Sequence, residues 1–94
     1  MKIPKTLQIG NLVSVIWEDI AASSEWFSPE ELNDFGVHTM ETVGWVFRIN
    51  KHLLVIHSTR ELNPASKGSK DPDSDIYSEI TSIPIGCITK VRKL

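Results

Sequence analysis

The chain has 94 residues, 40% of them hydrophobic and 23% charged, with a net charge of −2 and a pI near 5.9. That length suits a single domain over 1–94 that hides roughly two-thirds of its unfolded surface without staples, and the composition is that of a folded chain. The negative balance excludes a surface devoted as a whole to neutralising phosphate, and the lone Cys87 excludes an internal disulfide or a thiolate-rich zinc site.

In chain order, residues 1–10 read as an N-terminal arm that holds Lys2 and Lys5 but lacks the continuous apolar run of a signal peptide. No window approaches the ~20 apolar residues of a membrane-spanning helix, so a cytoplasmic chain in a reducing compartment, with no membrane contact, is expected. Leu12–Asp19 carries Val13, Val15 and Trp17 at period two and predicts a first strand. Ser28-Pro29-Glu30-Glu31 then supplies an N-cap hydroxyl, a proline at the first helical position and an acid three residues after the cap. Asp34 and Gly36 end the helix early, leaving Leu32 and Phe35 as the residues expected to press it onto the body.

From Val37 to Ile49 the odd positions Val37, Thr39, Val43, Trp45, Phe47 and Ile49 alternate with mostly polar or small residues, a long second strand in which Gly44 marks a bend or bulge. Asn50-Lys51 makes a tight turn into a third strand, Leu53–Ser58, apolar on both faces near its start. Residues 63–74, with Pro64, Gly68, Pro72 and almost nothing apolar, predict a flexible exposed loop. Asp75–Ser82 alternates again, with Ile76 and Ile80 expected on one face and Tyr77 on the other. Pro84 and Gly86 break the run before a last strand, Cys87–Leu94. A break of this kind, often a 3₁₀ turn, precedes the final strand of SH3-like barrels. The expected fold is mainly β, a five-stranded SH3-like small barrel with one short helix between strands 1 and 2.

Few residues point to chemistry. His38, His52 and His57 lack metal-ligand spacing, and Cys87 next to Ile88 reads as a small buried thiol. No catalytic, cofactor or metal site is expected. Charge is lopsided: Glu18, Asp19, Glu25, Glu30, Glu31, Asp34 and Glu41 occur from 18 to 41 with no Lys or Arg among them, while Lys67, Lys70, Lys90, Arg92 and Lys93 gather later. Such asymmetry suits head-to-tail self-association. Trp26, with Phe27 beside it, stands just before the helix cap, where it would act as a hydrophobic staple or, alternatively, as an interface anchor.

The segment Gly44-Trp45-Val46-Phe47-Arg48-Ile49-Asn50-Lys51-His52-Leu53-Leu54-Val55 resembles a degenerate first motif of Sm-like proteins. Gly44, Val46, Leu53 and Val55 match that motif in kind, with Asn50 in place of its aspartate and Leu54 in place of its asparagine. Ile83-Pro84-Ile85-Gly86-Cys87-Ile88 resembles the second motif in its glycine, with Ile85 where the family has arginine. The resemblance spans roughly 12–18 and 43–94, implies an Sm-like barrel able to build rings, and carries no nucleobase contacts to these positions. The overall layout is also similar to small uncharacterised proteins of phages and bacteria, which implies no activity.

Three functions follow as expectations. The first is a non-enzymatic binding or assembly module, a homo-oligomer joined through edge strands. The second is a single-stranded RNA- or DNA-binding protein in which Lys67, Lys70, Lys90, Arg92 and Lys93 track phosphates and Phe47 or Tyr77 offers a stacking face. The third is an enzyme with a site shared between subunits, using Asp19, His38 or Cys87.

Overall fold

A computed structural model of the protein describes residues 3–62 and 75–94. The predicted loop 63–74, with Lys67 and Lys70, and the first two residues lie outside the described residues. The elements run β1 Leu12–Asp19, α1 Pro29–Leu32, β2 His38–Ile49, β3 Leu53–Glu61, β4 Ile76–Pro84, a 3₁₀ turn Ile85–Cys87 and β5 Ile88–Lys93. The five strands form one antiparallel sheet in the order β4-β3-β2-β1-β5. The expected mainly β fold with five strands and one short helix is therefore present. As described, the sheet is open, with β4 and β5 at its two ends.

All five strands feed one core. Val13 and Val15 of β1, Val46 of β2, Leu54 and Ile56 of β3, Ile83 of β4, and Ile88 and Val91 of β5 are buried in a single cluster. Each such side chain, fully buried, contributes about 1.5–3 kcal/mol. α1 has no buried residue, so among the described residues no helical layer covers this face. A sheet without a covering layer buries its apolar side by curling over it, and the N-terminal arm adds Ile3 and Leu7 at the margin. The arm is tied down where the Gly10 N–H donates to the Val46 carbonyl at 2.7 Å and the Val46 N–H to the Asn11 carbonyl at 2.9 Å.

Two irregularities bend the sheet. In β2, Val46 pairs with Ile56 and Arg48 with Val55, which leaves Phe47 as the extra residue of a bulge. The bulge expected at Gly44 thus lies three residues further on. Gly44 serves a different need, because a Cβ there would sit 2.6 Å from the His57 carbonyl oxygen. In β5, Ile16 faces Lys90 and Trp17 faces Ile88, and the skipped Thr89 donates its hydroxyl to the Ile16 carbonyl at 3.0 Å.

A third irregularity corrects the expected faces of β4. Tyr77 and Ile80 line the same cleft, because Glu79 takes φ 54° and interrupts the alternation between them. A left-handed conformation costs a residue with a Cβ about 1–2 kcal/mol.

The helix also departs from expectation. The capping box forms as predicted, with the Glu31 N–H donating to Ser28 Oγ at 3.2 Å and the Ser28 N–H to Glu31 Oε1 at 3.1 Å. Leu32 and Phe35, however, are exposed and do not press α1 onto the body. Trp26 is 99% exposed, which rules out the staple role. Phe27, the residue directly before the cap, holds the turn instead, its ring 5.5 Å from that of Phe35.

Substitution at two backbone positions should move stability in opposite directions. Gly44→Ala is expected to cost about 2–3 kcal/mol, since its Cβ meets rigid backbone. Glu79→Gly is expected to gain about 1 kcal/mol by relieving the left-handed strain. Urea denaturation of the two variants beside the parent chain checks both signs.

Candidate interaction surface

The face of the sheet turned away from the core is the chemically rich one. In β2 the odd apolar positions before the bulge point outward, because Val46, at an even position, is the buried one, while Ile49 past the bulge packs against the core. Register builds a row across the sheet, Leu12 opposite Trp45, Trp45 opposite His57 and His57 opposite Ile80. The bulge adds Phe47, and the reversal at Glu79 adds Tyr77.

These side chains pack on one another. Trp45 and His57 stack with ring centroids 5.7 Å apart and planes 27° from parallel. Tyr77 lies 4.4 Å from the His57 ring and 5.4 Å from that of Phe47. The Arg60 guanidinium sits 4.9 Å from the Trp45 ring centre and 4.0 Å from the Asp75 carboxylate. Between Phe47, Val55, His57, Tyr77 and Ile80 runs a shallow cleft of about 110 Å³. Phe47, Tyr77 and Ile80 remain exposed on it.

His57 is the titratable group at the centre of this face. It is 4% exposed, and its Nδ1 has no hydrogen-bond partner among the described residues. Burial first, and then the Arg60 guanidinium, push its imidazole below the usual value, with Asp75 opposing.

Toward β5 the same face turns polar. Lys90 and Ile16 are cross-strand partners, as are Arg92 and Ser14, and Glu41 lies beyond Ile16. These five residues line a second hollow of about 120 Å³, where Ser14 Oγ donates to Glu41 Oε2 at 2.7 Å. Of the expected phosphate-tracking cations, Lys90 and Arg92 therefore share a face and flank it from β5. Lys93 is set apart, its Nζ 3.5 Å from Thr6 Oγ1. Trp26 and Phe27 sit far along the chain on the β1–β2 connection, away from all of these.

The residues weighed for catalysis do not converge. Asp19 and His38 are the last cross-strand pair of β1 and β2, and both are exposed. Asp19 Oδ1 accepts from the Ile20 N–H at 2.9 Å. Cys87 is half-buried against the core and not fully enclosed as expected. His52 is exposed in the β2–β3 turn, before β3 begins. Among the described residues no three His, Cys, Asp or Glu side chains are placed to hold a metal ion, and no helix is long and apolar enough to cross a membrane.

Sequence reasoning named Phe47 and Tyr77 but missed Trp45, His57 and Arg60 as their neighbours. The signal was present in the odd-position apolar run of β2, which is longer than a core-facing strand of this sheet needs.

Comparison of the chain with protein-family models, with curated proteins and with solved structures finds no match in any of the three.

Because the imidazole is pushed down on folding, the unfolded chain binds a proton that the folded chain refuses. Stability is then full above the unfolded value, about 6.5, and falls as pH drops toward the lowered folded value. The parent chain should lose stability relative to His57→Gln between pH 7.5 and 5.5 (both approximate bounds set around that value). Urea midpoints that stay parallel for the two chains across this range would contradict the assignment.

Proposed function

We propose that this protein is a non-enzymatic binding and assembly module, a small SH3-like or Sm-like barrel of the kind found in phages and bacteria, that self-associates through its edge strands. The observation that carries this reading is the strand order. β4 and β5 stand at the two ends of the sheet, and neither has a second strand neighbour among the described residues. An open edge is a row of free backbone donors and acceptors that a chain must protect or pair. β4 of one copy against β5 of the next would satisfy both edges at once and repeat around a ring.

Three features support the barrel frame. The sheet curls over one core, bulges interrupt β2 and β5, and a 3₁₀ turn separates β4 from β5. The turn is fixed by the Ile85 N–H, which donates to the His52 carbonyl at 2.8 Å. The test is solution mass by size exclusion with light scattering at low and high salt. One closed oligomer is the expected result, and a strict monomer at the highest concentration reached would refute the reading.

A second reading is single-stranded RNA or DNA binding, favoured by the aromatic face with Phe47 and Tyr77 exposed beside Arg60 and with Lys90 and Arg92 across the sheet. Base stacking on such a face is worth ~1–3 kcal/mol per base. A labelled oligonucleotide should then bind at low salt and release steeply as salt rises, and Tyr77→Ala should weaken it roughly 10-fold. Absence of any polarisation change at low salt would remove this alternative.

A further inference from the structure

The segment between β1 and β2 is more than a connection. β1 and β2 pair as far as Asp19 and His38, and α1 lies beyond that last pair. From Glu18 to Glu41 every residue is exposed except Ala21 and Phe27, which are half-buried. The molecule measures 58 × 32 × 21 Å along its principal axes, with a radius of gyration of 17.5 Å, against ~12 Å for a compact domain of this length.

This arm exposes Ile20, Trp26, Leu32, Phe35, Val37 and Met40. An exposed apolar run of that extent on a small chain marks a contact surface. The same arm carries seven acids and no Lys or Arg. None of those acids is in an ion pair among the described residues, where the one pair is Arg60 with Asp75. Glu41, at the arm's base, shares a hollow with Lys90 and Arg92, but the other six acids stand without a cation paired to them among the described residues, so the arm is an apolar surface inside a field of negative charge.

The opposite end of the same strands is its complement. At the other end of the β1–β2 ladder Leu12 faces Trp45, and the Leu94 N–H donates to the Leu12 carbonyl at 2.9 Å. Gathered there are Arg48 just past that pair, Arg92 and Lys93 at the end of β5, and the exposed apolar side chains of Ile9 and Leu94. Residues 3–12, 45–49 and 89–94, which lead to this end, contain Lys5, Arg48, Lys90, Arg92 and Lys93 and not one acid.

We propose that the acidic, apolar β1–β2 arm of one copy, with Trp26 as its anchor, seats on the basic, apolar Ile9–Arg92–Leu94 end of a second copy, head to tail. The inference deepens the self-association reading and rests on it, adding to the edge strands a second contact. A patch that meets a different patch leaves one arm and one basic end free at each step, so the contact propagates from copy to copy and closes only as a ring. Salt weakens it by screening the opposed charges, while the apolar anchor gives it its lifetime.

The experiment is light scattering on the parent chain and three variants, each first checked for folding by circular dichroism. Trp26 makes no ring contact in the described structure and is fully exposed, so Trp26→Ala should fold normally and weaken self-association about 30-fold or more. The arm variant Glu25→Lys, Glu30→Lys, Asp34→Lys, which leaves the Ser28–Glu31 cap intact, should be monomeric by itself. So should the variant Arg48→Glu, Arg92→Glu at the other end. Mixed together, the two should associate, because each supplies the charge the other has lost.

A parent oligomer that survives Trp26→Ala and both charge reversals unchanged would overturn the arm contact and leave the edge strands as the joint. A parent chain that stays monomeric at every concentration and salt would overturn both. Mixed variants that remain monomeric while each alone has lost the parent's association would also overturn the pairing of these two surfaces.

Discussion

The constraint on which the rest of this structure depends is that no helix among the described residues covers the sheet. α1 buries no side chain and stands beyond the last β1–β2 pair, so apart from Ile3 and Leu7 of the N-terminal arm the described apolar faces of five strands have one another for cover. They achieve it by curling, and a sheet bends most sharply where its ladder is interrupted. The skipped residues Phe47 and Thr89 are where it bends. Bending draws β2 and β3 together at Gly44, where the His57 carbonyl occupies the space a side chain would need. The same approach brings Ser58 Oγ within 2.6 Å of the Val43 carbonyl and sets Trp45 flat against His57. The outer aromatic face is thus a by-product of how the inner face is closed.

Much of this frame is legible in the sequence. Period-two runs locate β1, β2 and β4, the Asn50-Lys51 turn and the apolar run after it locate β3, the Ser28 to Glu31 spacing locates the cap of α1, and Pro84 with Gly86 locates the turn before β5. What the pattern cannot say is which face of a strand is inside. The apolar odd positions of β2 make a clear stripe, yet Val46 is the core residue, because the stripe meets solvent up to the Phe47 bulge and only Ile49 beyond it turns to the core. Glu79 is silent for a different reason. Glutamate has no preference for left-handed backbone, so nothing at that position announces that Tyr77 and Ile80 will share a cleft. Trp26 and Phe27 are adjacent aromatics before one cap, and only the geometry of the turn decides that Phe27 folds back while Trp26 stands free.

Charge follows the long direction of the strands. Hairpin connectivity puts the tip of β1–β2 at one end and the close of β5 at the other, so a composition difference between chain segments becomes a separation in space. The aromatic row starts at the Leu12–Trp45 pair that also marks the basic end, and Arg60 beside it is already held by Asp75 and Trp45.

The pairing of β5 with β1 has a consequence for how the chain acquires its fold. Val13 faces Lys93 and Val15 faces Val91, contacts between the first strand and the last. Closing a loop of that length before any contact repays it is entropically slow, and small β domains dominated by such pairings fold in milliseconds to seconds. During synthesis β1, β2 and β3 can pair as hairpins while the free side of β1 waits for β5. Until Ile88 and Val91 leave the ribosome, one flank of the core is open to water and one strand edge is open to any other nascent chain.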